Sequence, residues 1–118
     1  MNNQPVYSFI IPVYNSSDLL YETLDSIAKQ TFDIRQFEVI IIDDCSTDAG
    51  TIDIIAALKK DHSYKGLRIE VIQNNENYYS AKARNIGVQK AKGEYIVCLD
   101  SDDTIESDFM KHAHLALA

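Results

Sequence analysis

Short apolar runs punctuate the chain, and segments of helical periodicity separate them. Residues 8–13 are apolar and rich in β-branched side chains on both faces, the pattern of a buried strand. Pro12 cannot donate to a ladder and is expected at that strand's end. Asn15, Ser16, Ser17 and Asp18 form a turn feeding a helix, in which Leu20, Leu24 and Ile27 recur at helical spacing as far as Gln30. The second strand is the sharpest: residues 38–42 run Glu-Val-Ile-Ile-Ile and stop at Asp43-Asp44. A polar loop over 46–50 precedes a helix with Ile52, Ile55, Ala56 and Leu58 on one face. Residues 67–73 predict a third strand, with Leu67, Ile69 and Val71 on one side, and 74–77 an Asn-rich loop. A helix over 80–91 follows; its inner face is small (Ala83, Ile86, Gly87, Ala91), and Gly93 ends it as a C-cap glycine would. A fourth strand, 95–99, runs into Asp100-Ser101-Asp102-Asp103, and residues 106–117 are helical again.

Strands separated by helices are βαβ units, and they predict an α/β fold with an open, mostly parallel sheet and flanking helices. Right-handed crossovers bring the C-terminal ends of the strands to one rim. In such sheets ligands bind at that rim, where the strand order reverses. With the first strand central, the order of the four strands is 3-2-1-4. Asn15, Asp43-Asp44 and residues 100–103 then face one crevice, although they are far apart in sequence.

The length, 118 residues, fits a single domain over 1–118. An apolar share of 46% supports a core of reasonable size, so no disordered tract is expected. The net charge of −7 argues against nucleic acid as a partner, because that grip needs clustered Lys and Arg. An anionic ligand would need a positive mediator, and a divalent cation supplies one. Cys45 and Cys98 form no C-x-x-C pair and are expected to be small buried or half-buried thiols. Residues 1–6 show no signal-peptide pattern, and no apolar run approaches the roughly 20 residues of a membrane span. A cytoplasmic location is the resulting expectation.

The acidic rim carries the candidate chemistry. Asp100, Asp102 and Asp103 put three carboxylates into four residues at the end of an apolar strand. Their mutual repulsion is relieved by a hard cation with oxygen ligands, Mg²⁺ or Mn²⁺ shared with a diphosphate and water. The plainer alternative is a solvated acidic turn that also favours the start of the last helix. Asp43-Asp44 could accept hydrogen bonds from a base or ribose, or could cap the following loop through Asx-turn bonds. Lys82, Arg84 and Asn85 open the third helix and either meet a diphosphate or form a solvated basic face. His62, His112 and His114 lack metal spacing and are taken as structural or surface residues. No P-loop, dinucleotide fingerprint or esterase elbow occurs.

Several of these segments together resemble a known family. Phe9-Ile10-Ile11-Pro12-Val13-Tyr14-Asn15 and Val39-Ile40-Ile41-Ile42-Asp43-Asp44-Cys45-Ser46-Thr47-Asp48 are similar to the opening motifs of family 2 glycosyltransferases. Ala83-Arg84-Asn85-Ile86-Gly87, Gly93-Glu94-Tyr95-Ile96 and Leu99-Asp100-Ser101-Asp102-Asp103 continue that pattern in order. The resemblance implies a GT-A fold, the Rossmann-like nucleotide-sugar-binding half, and a hexosyltransferase of polysaccharide biosynthesis. Its donor would be a nucleotide-diphosphate sugar, a UDP-sugar first, and transfer would be metal-dependent with inversion. It places Pro12, Val13, Tyr14 and Asn15 against the nucleotide, Asp44 on the base, Arg84 near base and diphosphate, and Asp100 and Asp102 on the donor. Asp103, with Asp102, would hold the Mn²⁺ or Mg²⁺.

Two departures stand out. Cys45 occupies the position of a usual glycine after the acidic pair, and Tyr78-Tyr79 replaces another before the Ala-Arg-Asn motif. Tyr79 would either narrow the nucleotide groove or stack on the base. The family's acceptor site and general base lie beyond the metal motif, so the chain is expected to be truncated at its C-terminus, with no catalytic residue of its own. Donor binding without turnover is then expected. A carbohydrate or lipid-linked acceptor would be engaged by the missing part, whose absence would expose apolar surface and permit self-association. The parent enzyme could be peripheral to the membrane. The alternatives are a phospho-receiver signalling domain and a non-catalytic nucleotide-binding module.

Overall fold

The computed structural model describes residues 4–117, so the reading of residues 1–6 falls partly outside the described range. β1 (Tyr7–Val13), β2 (Phe37–Asp43), β4 (Leu67–Gln73) and β5 (Tyr95–Cys98) are the four expected strands. Between them lie α1 (Leu19–Ala28), α2 (Ala49–Asp61) and α3 (Tyr79–Lys90), and α4 (Phe109–Leu117) follows. With a further strand, β3 (Ser63–Tyr64), the sheet order is β3-β4-β2-β1-β5, which contains the expected order of the four strands and adds one not expected from the sequence. That addition pairs antiparallel with the start of β4. Lys65 and Gly66 join them with φ of 49° and 88°, two left-handed residues that suit a tight hairpin.

Alternation along β1 divides the interior into two unequal layers. Tyr7, Phe9, Ile11 and Val13 face α1, α2 and α4, where Leu24, Ile55, Leu58 and Met110 join the main core. Ile10, with Ile40 and Ile42 of β2, faces α3 and meets Ala83. The α3 layer is thin because the helix packs very close. A Cβ on Gly87 would lie 2.6 Å from Ile10 Cγ2 and 2.6 Å from Ile42 Cδ1. Ile86 is only half-buried, so Ala83 and Gly87 carry that contact.

Cys45 is half-buried as expected, but Cys98 is exposed. Three further local expectations need correction. Gly93 is not a left-handed helix cap: α3 ends at Lys90, and the capping position, Ala91, is extended. Gly93 is required instead by proximity, since a Cβ there would lie 2.5 Å from Ser8 Oγ and 2.8 Å from the Ser8 amide nitrogen. The buried face of α2 is Thr51, Ile54, Ile55 and Leu58, while Ile52 and Ala56 point to solvent. Finally, α2 begins at Ala49, inside the segment read as loop. Pro12 lies one residue before the end of β1, beyond the β5 ladder, whose last partner on β1 is Ile10.

Candidate nucleotide and cation site

β1, β2 and β5 run parallel, so their C-terminal ends open on the same rim. There, Pro12, Val13, Tyr14, Asp44 and Asp100 line one groove of about 340 Å³. These are five of the residues assigned to the donor from the sequence. Asn77, Tyr79, Ser80 and Ser101 complete the lining. Asn77 and Ser80 carried no motif, and only their place just before the Ala-Arg-Asn motif could have suggested them, whereas Ser101 lies inside the quoted acidic motif but was given no role. Asn15 and Arg84 are not among the lining residues, and neither are Asp102 and Asp103, which stand beside Asp100 in the same turn.

Asp43 and Asp44 have different duties. Asp43 Oδ1 accepts the Ser46 N–H at 3.1 Å, a local Asx-type bond that shapes the loop after β2. Asp44 reaches across the rim instead. Its Oδ1 accepts from Asn74 Nδ2 at 2.8 Å and from the Tyr78 N–H at 2.9 Å, and its Oδ2 accepts from the Tyr79 N–H at 2.8 Å. Asp44 is buried, so these donors replace the water its charge has lost. The carboxylate therefore pins the entry to α3.

Asn15 is a clamp between two loops. Its Oδ1 accepts the N–H groups of Thr47 and Asp48 at 2.8 and 3.1 Å, and its Nδ2 donates to Thr47 Oγ1 at 3.2 Å. The β1 loop is thereby fixed to the β2 loop, with Tyr14, 48% exposed, held at the groove. Lys82 places its ammonium 4.2 Å from the centroid of the Tyr78 ring, so this cation is engaged by an aromatic face. Arg84 is half-buried on α3. Glu76 and burial together raise the Tyr78 hydroxyl above the ordinary tyrosine value, burial being the larger cause.

The replaced glycines have a clear backbone meaning. Cys45 has φ of 66° and Tyr79 has φ of 68°, both in the left-handed region that favours glycine. The chain keeps the glycine conformation at both places without the glycine.

The acidic turn after β5 contrasts with Asp44. Asp100, Asp102 and Asp103 each offer a carboxylate oxygen, these atoms lie within 4.8 Å of one another, and all three residues are exposed. The turn is closed by the Asp103 N–H donating to the Asp100 carbonyl at 3.0 Å and the Asp100 N–H donating to Asp103 Oδ2 at 3.1 Å. A compact, all-oxygen, solvent-facing donor set fits a hard divalent cation that retains water and phosphate ligands.

The sequence pattern of Glycosyl transferase family 2 matches residues 8–114. The chain belongs to that family. The GT-A resemblance is matched by the fold, and membership leaves the phospho-receiver alternative without support. One family relative is the poly(ribitol-phosphate) beta-N-acetylglucosaminyltransferase TarS of Staphylococcus aureus, 37% identical over 91% of this chain and 18% of its own length. The poly(ribitol-phosphate) beta-glucosyltransferase of Bacillus spizizenii is 43% identical over 86% of this chain and 15% of its own length. A crystal structure of TarS residues 1–349 in complex with UDP-GlcNAc superposes with a TM-score of 0.79 at 37% identity, covering 92% of this chain and 30% of that one. The mannosyltransferase PcManGT of Pyrobaculum calidifontis, in complex with GDP-Man and Mn²⁺, superposes with a TM-score of 0.83 at 30% identity, covering 98% of this chain and 33% of that one. The chain thus spans less than a fifth of the length of these two curated relatives. Among the described residues, no helix is long and apolar enough to cross a membrane.

Proposed function

We propose that this chain is the donor-binding part of an inverting, cation-dependent hexosyltransferase that uses a nucleotide-diphosphate sugar, a UDP-sugar first. The observation that carries the reading is the meeting of Asp44 and Asp100 in one groove with Pro12, Val13 and Tyr14. The groove's lining combines the hydrogen-bonded Asp44 and the aromatic residues Tyr14 and Tyr79 with the carboxylate of Asp100. A nucleoside diphosphate has matching chemistry, with a planar base and anionic oxygens that a cation can bridge to a carboxylate.

Asp103 and Asp102 would hold Mn²⁺ or Mg²⁺, whose contribution when bound is to neutralise the departing diphosphate. Asp100, beside them, would orient the donor at the turn. Asp44 fixes the entry to α3 and so sets one wall of the base site. Asn15 keeps the β1 loop and Tyr14 in place. Arg84 is assigned to the base and diphosphate from its place in the Ala-Arg-Asn motif. No residue of the groove is assigned as general base; that group must reach the acceptor hydroxyl directly, and we place it outside residues 1–118. The acceptor is proposed to be a carbohydrate or lipid-linked chain of polysaccharide synthesis. Two unpaired thiols, Cys45 and Cys98, suit a reducing, cytoplasmic setting.

Thermal melting tests the reading. UDP-sugar with Mn²⁺ should raise the melting temperature, by ligand linkage, more than either component alone. Asp103→Ala should remove the cation-dependent part of that gain. An unchanged gain in the variant would refute the assignment of Asp103.

A further inference from the structure

Tyr79 combines three features that its neighbours do not share. Its backbone lies at φ of 68°, a region that Gly and Asn enter readily and a bulky aromatic residue does not. Its N–H is held by two acceptors at once, Asp44 Oδ2 at 2.8 Å and Asn77 Oδ1 at 2.9 Å, which keeps the backbone in that state. Its side chain lines the groove and the residue remains 75% exposed, and among the described residues its ring has no aromatic or cation partner. Tyr78, next to it, is committed: its ring receives Lys82 and its hydroxyl donates to Asn75 Oδ1.

Glycine would satisfy the backbone at position 79 without strain. A tyrosine there therefore costs stability and exposes an apolar ring, and among the described residues no aromatic or cation contact of that ring offsets the loss. Observed strain of this kind points to a role in binding. The Tyr79 backbone is bonded to Asp44 and the residue lines the groove, which leaves its exposed ring available to a ligand there. A flat, π-bearing group is the ligand chemistry such a ring accepts.

We propose that Tyr79 stacks on the nucleobase of the donor, adding an aromatic wall to the groove and contributing base affinity without touching the diphosphate. This rests on the nucleotide-sugar reading of the same groove. Stacking of a base on an aromatic side chain depends on the π-face and not on a hydrogen-bond pattern. The ring, rather than the tyrosine hydroxyl, therefore carries the effect.

The test compares the 118-residue chain with Tyr79→Gly and Tyr79→Phe, titrating UDP and inorganic pyrophosphate separately in the presence of Mn²⁺. The expected result is that Tyr79→Gly weakens UDP binding by about tenfold or more while leaving pyrophosphate affinity unchanged. Tyr79→Phe should restore UDP affinity to within about threefold of the original, because it keeps the π-face. Without ligand, Tyr79→Gly should melt at the same temperature or a few degrees higher, which separates lost stacking from lost folding. UDP affinity that is unchanged or tighter in Tyr79→Gly would overturn the stacking role and mark the ring as an obstruction. Equal losses for UDP and pyrophosphate would also overturn it, since a base contact cannot act on pyrophosphate. Failure of the unaltered chain to bind UDP with Mn²⁺ would sink the nucleotide reading itself, and the stacking role with it.

Discussion

Asp44, after β2, and residues 100–103, after β5, stand on the same edge of one sheet, yet the fold treats their charges in opposite ways. Asp44 is buried and accepts three hydrogen bonds, from Asn74, Tyr78 and Tyr79. Asp100, Asp102 and Asp103 are exposed and crowd their carboxylates together without a cationic side chain among them. The first arrangement spends its charge on holding a loop. The second leaves its charge available to a ligand. A carboxylate near a site is therefore better judged by which donors it already satisfies than by its position alone.

The largest effect that could break this contrast is on Asp44. Asp44→Ala leaves the Tyr78 N–H and the Asn74 amide without their acceptor, and the Tyr79 N–H with Asn77 Oδ1 alone, and should destabilise the chain by about 3 kcal/mol. A urea midpoint unchanged from the original would show that the bonds are not structural. Asn15→Ala should cost less, about 1 kcal/mol, because it strips the acceptor from the Thr47 and Asp48 N–H groups at a more exposed place. Asp102→Ala should change the stability of the ligand-free chain by less than about 0.5 kcal/mol, since no hydrogen bond to its side chain is present among the described residues and repulsion is relieved. A loss as large as that of Asp44→Ala would erase the difference between the two regions.

The smallest effect concerns Asp25, remote from the rim, which offers a control for ordinary surface charge. Hydrogen bonds from Lys65 Nζ at 2.8 Å and from the Tyr64 hydroxyl at 2.7 Å hold its carboxyl below the usual range, Lys65 being the larger cause. A lowered carboxylate contributes stability that is complete above its unfolded value and is lost as pH falls through the folded value. Asp25→Asn should therefore lower the neutral plateau slightly and flatten the acid limb of a stability profile, the two profiles converging as pH falls below the usual carboxylate range. A steeper acid limb in the variant would contradict the sign.

The sheet was legible in the sequence because its strands are long β-branched runs, of which residues 39–42 are the clearest. Their common rim followed from the right-handed crossover, and their order from taking the first strand as central. β3 escaped because two residues carry no periodicity; Lys65-Gly66 was the available turn signal. Gly93 misled because a glycine after a helix suggests a left-handed cap, whereas here its missing side chain makes room for the Ser8 backbone. At the site, the acidic residues and Tyr14 were legible as motif members. The division of labour between Asp43, Asp44 and Asn15 was not, because it is set by contacts between loops about 30 residues apart in sequence. The two glycine replacements were visible as departures, but only the positive φ at Cys45 and Tyr79 explains why glycine suits those places.

The central claim is that the open acidic turn holds a divalent cation together with a nucleoside diphosphate. Electron paramagnetic resonance of Mn²⁺ tests it most directly, since the signal of the free ion falls when the ion is bound. Adding the chain and UDP should deplete that signal more than either does alone, and Asp103→Ala should return it towards the level seen with UDP by itself. Equal depletion by the original chain and by Asp103→Ala would contradict the account.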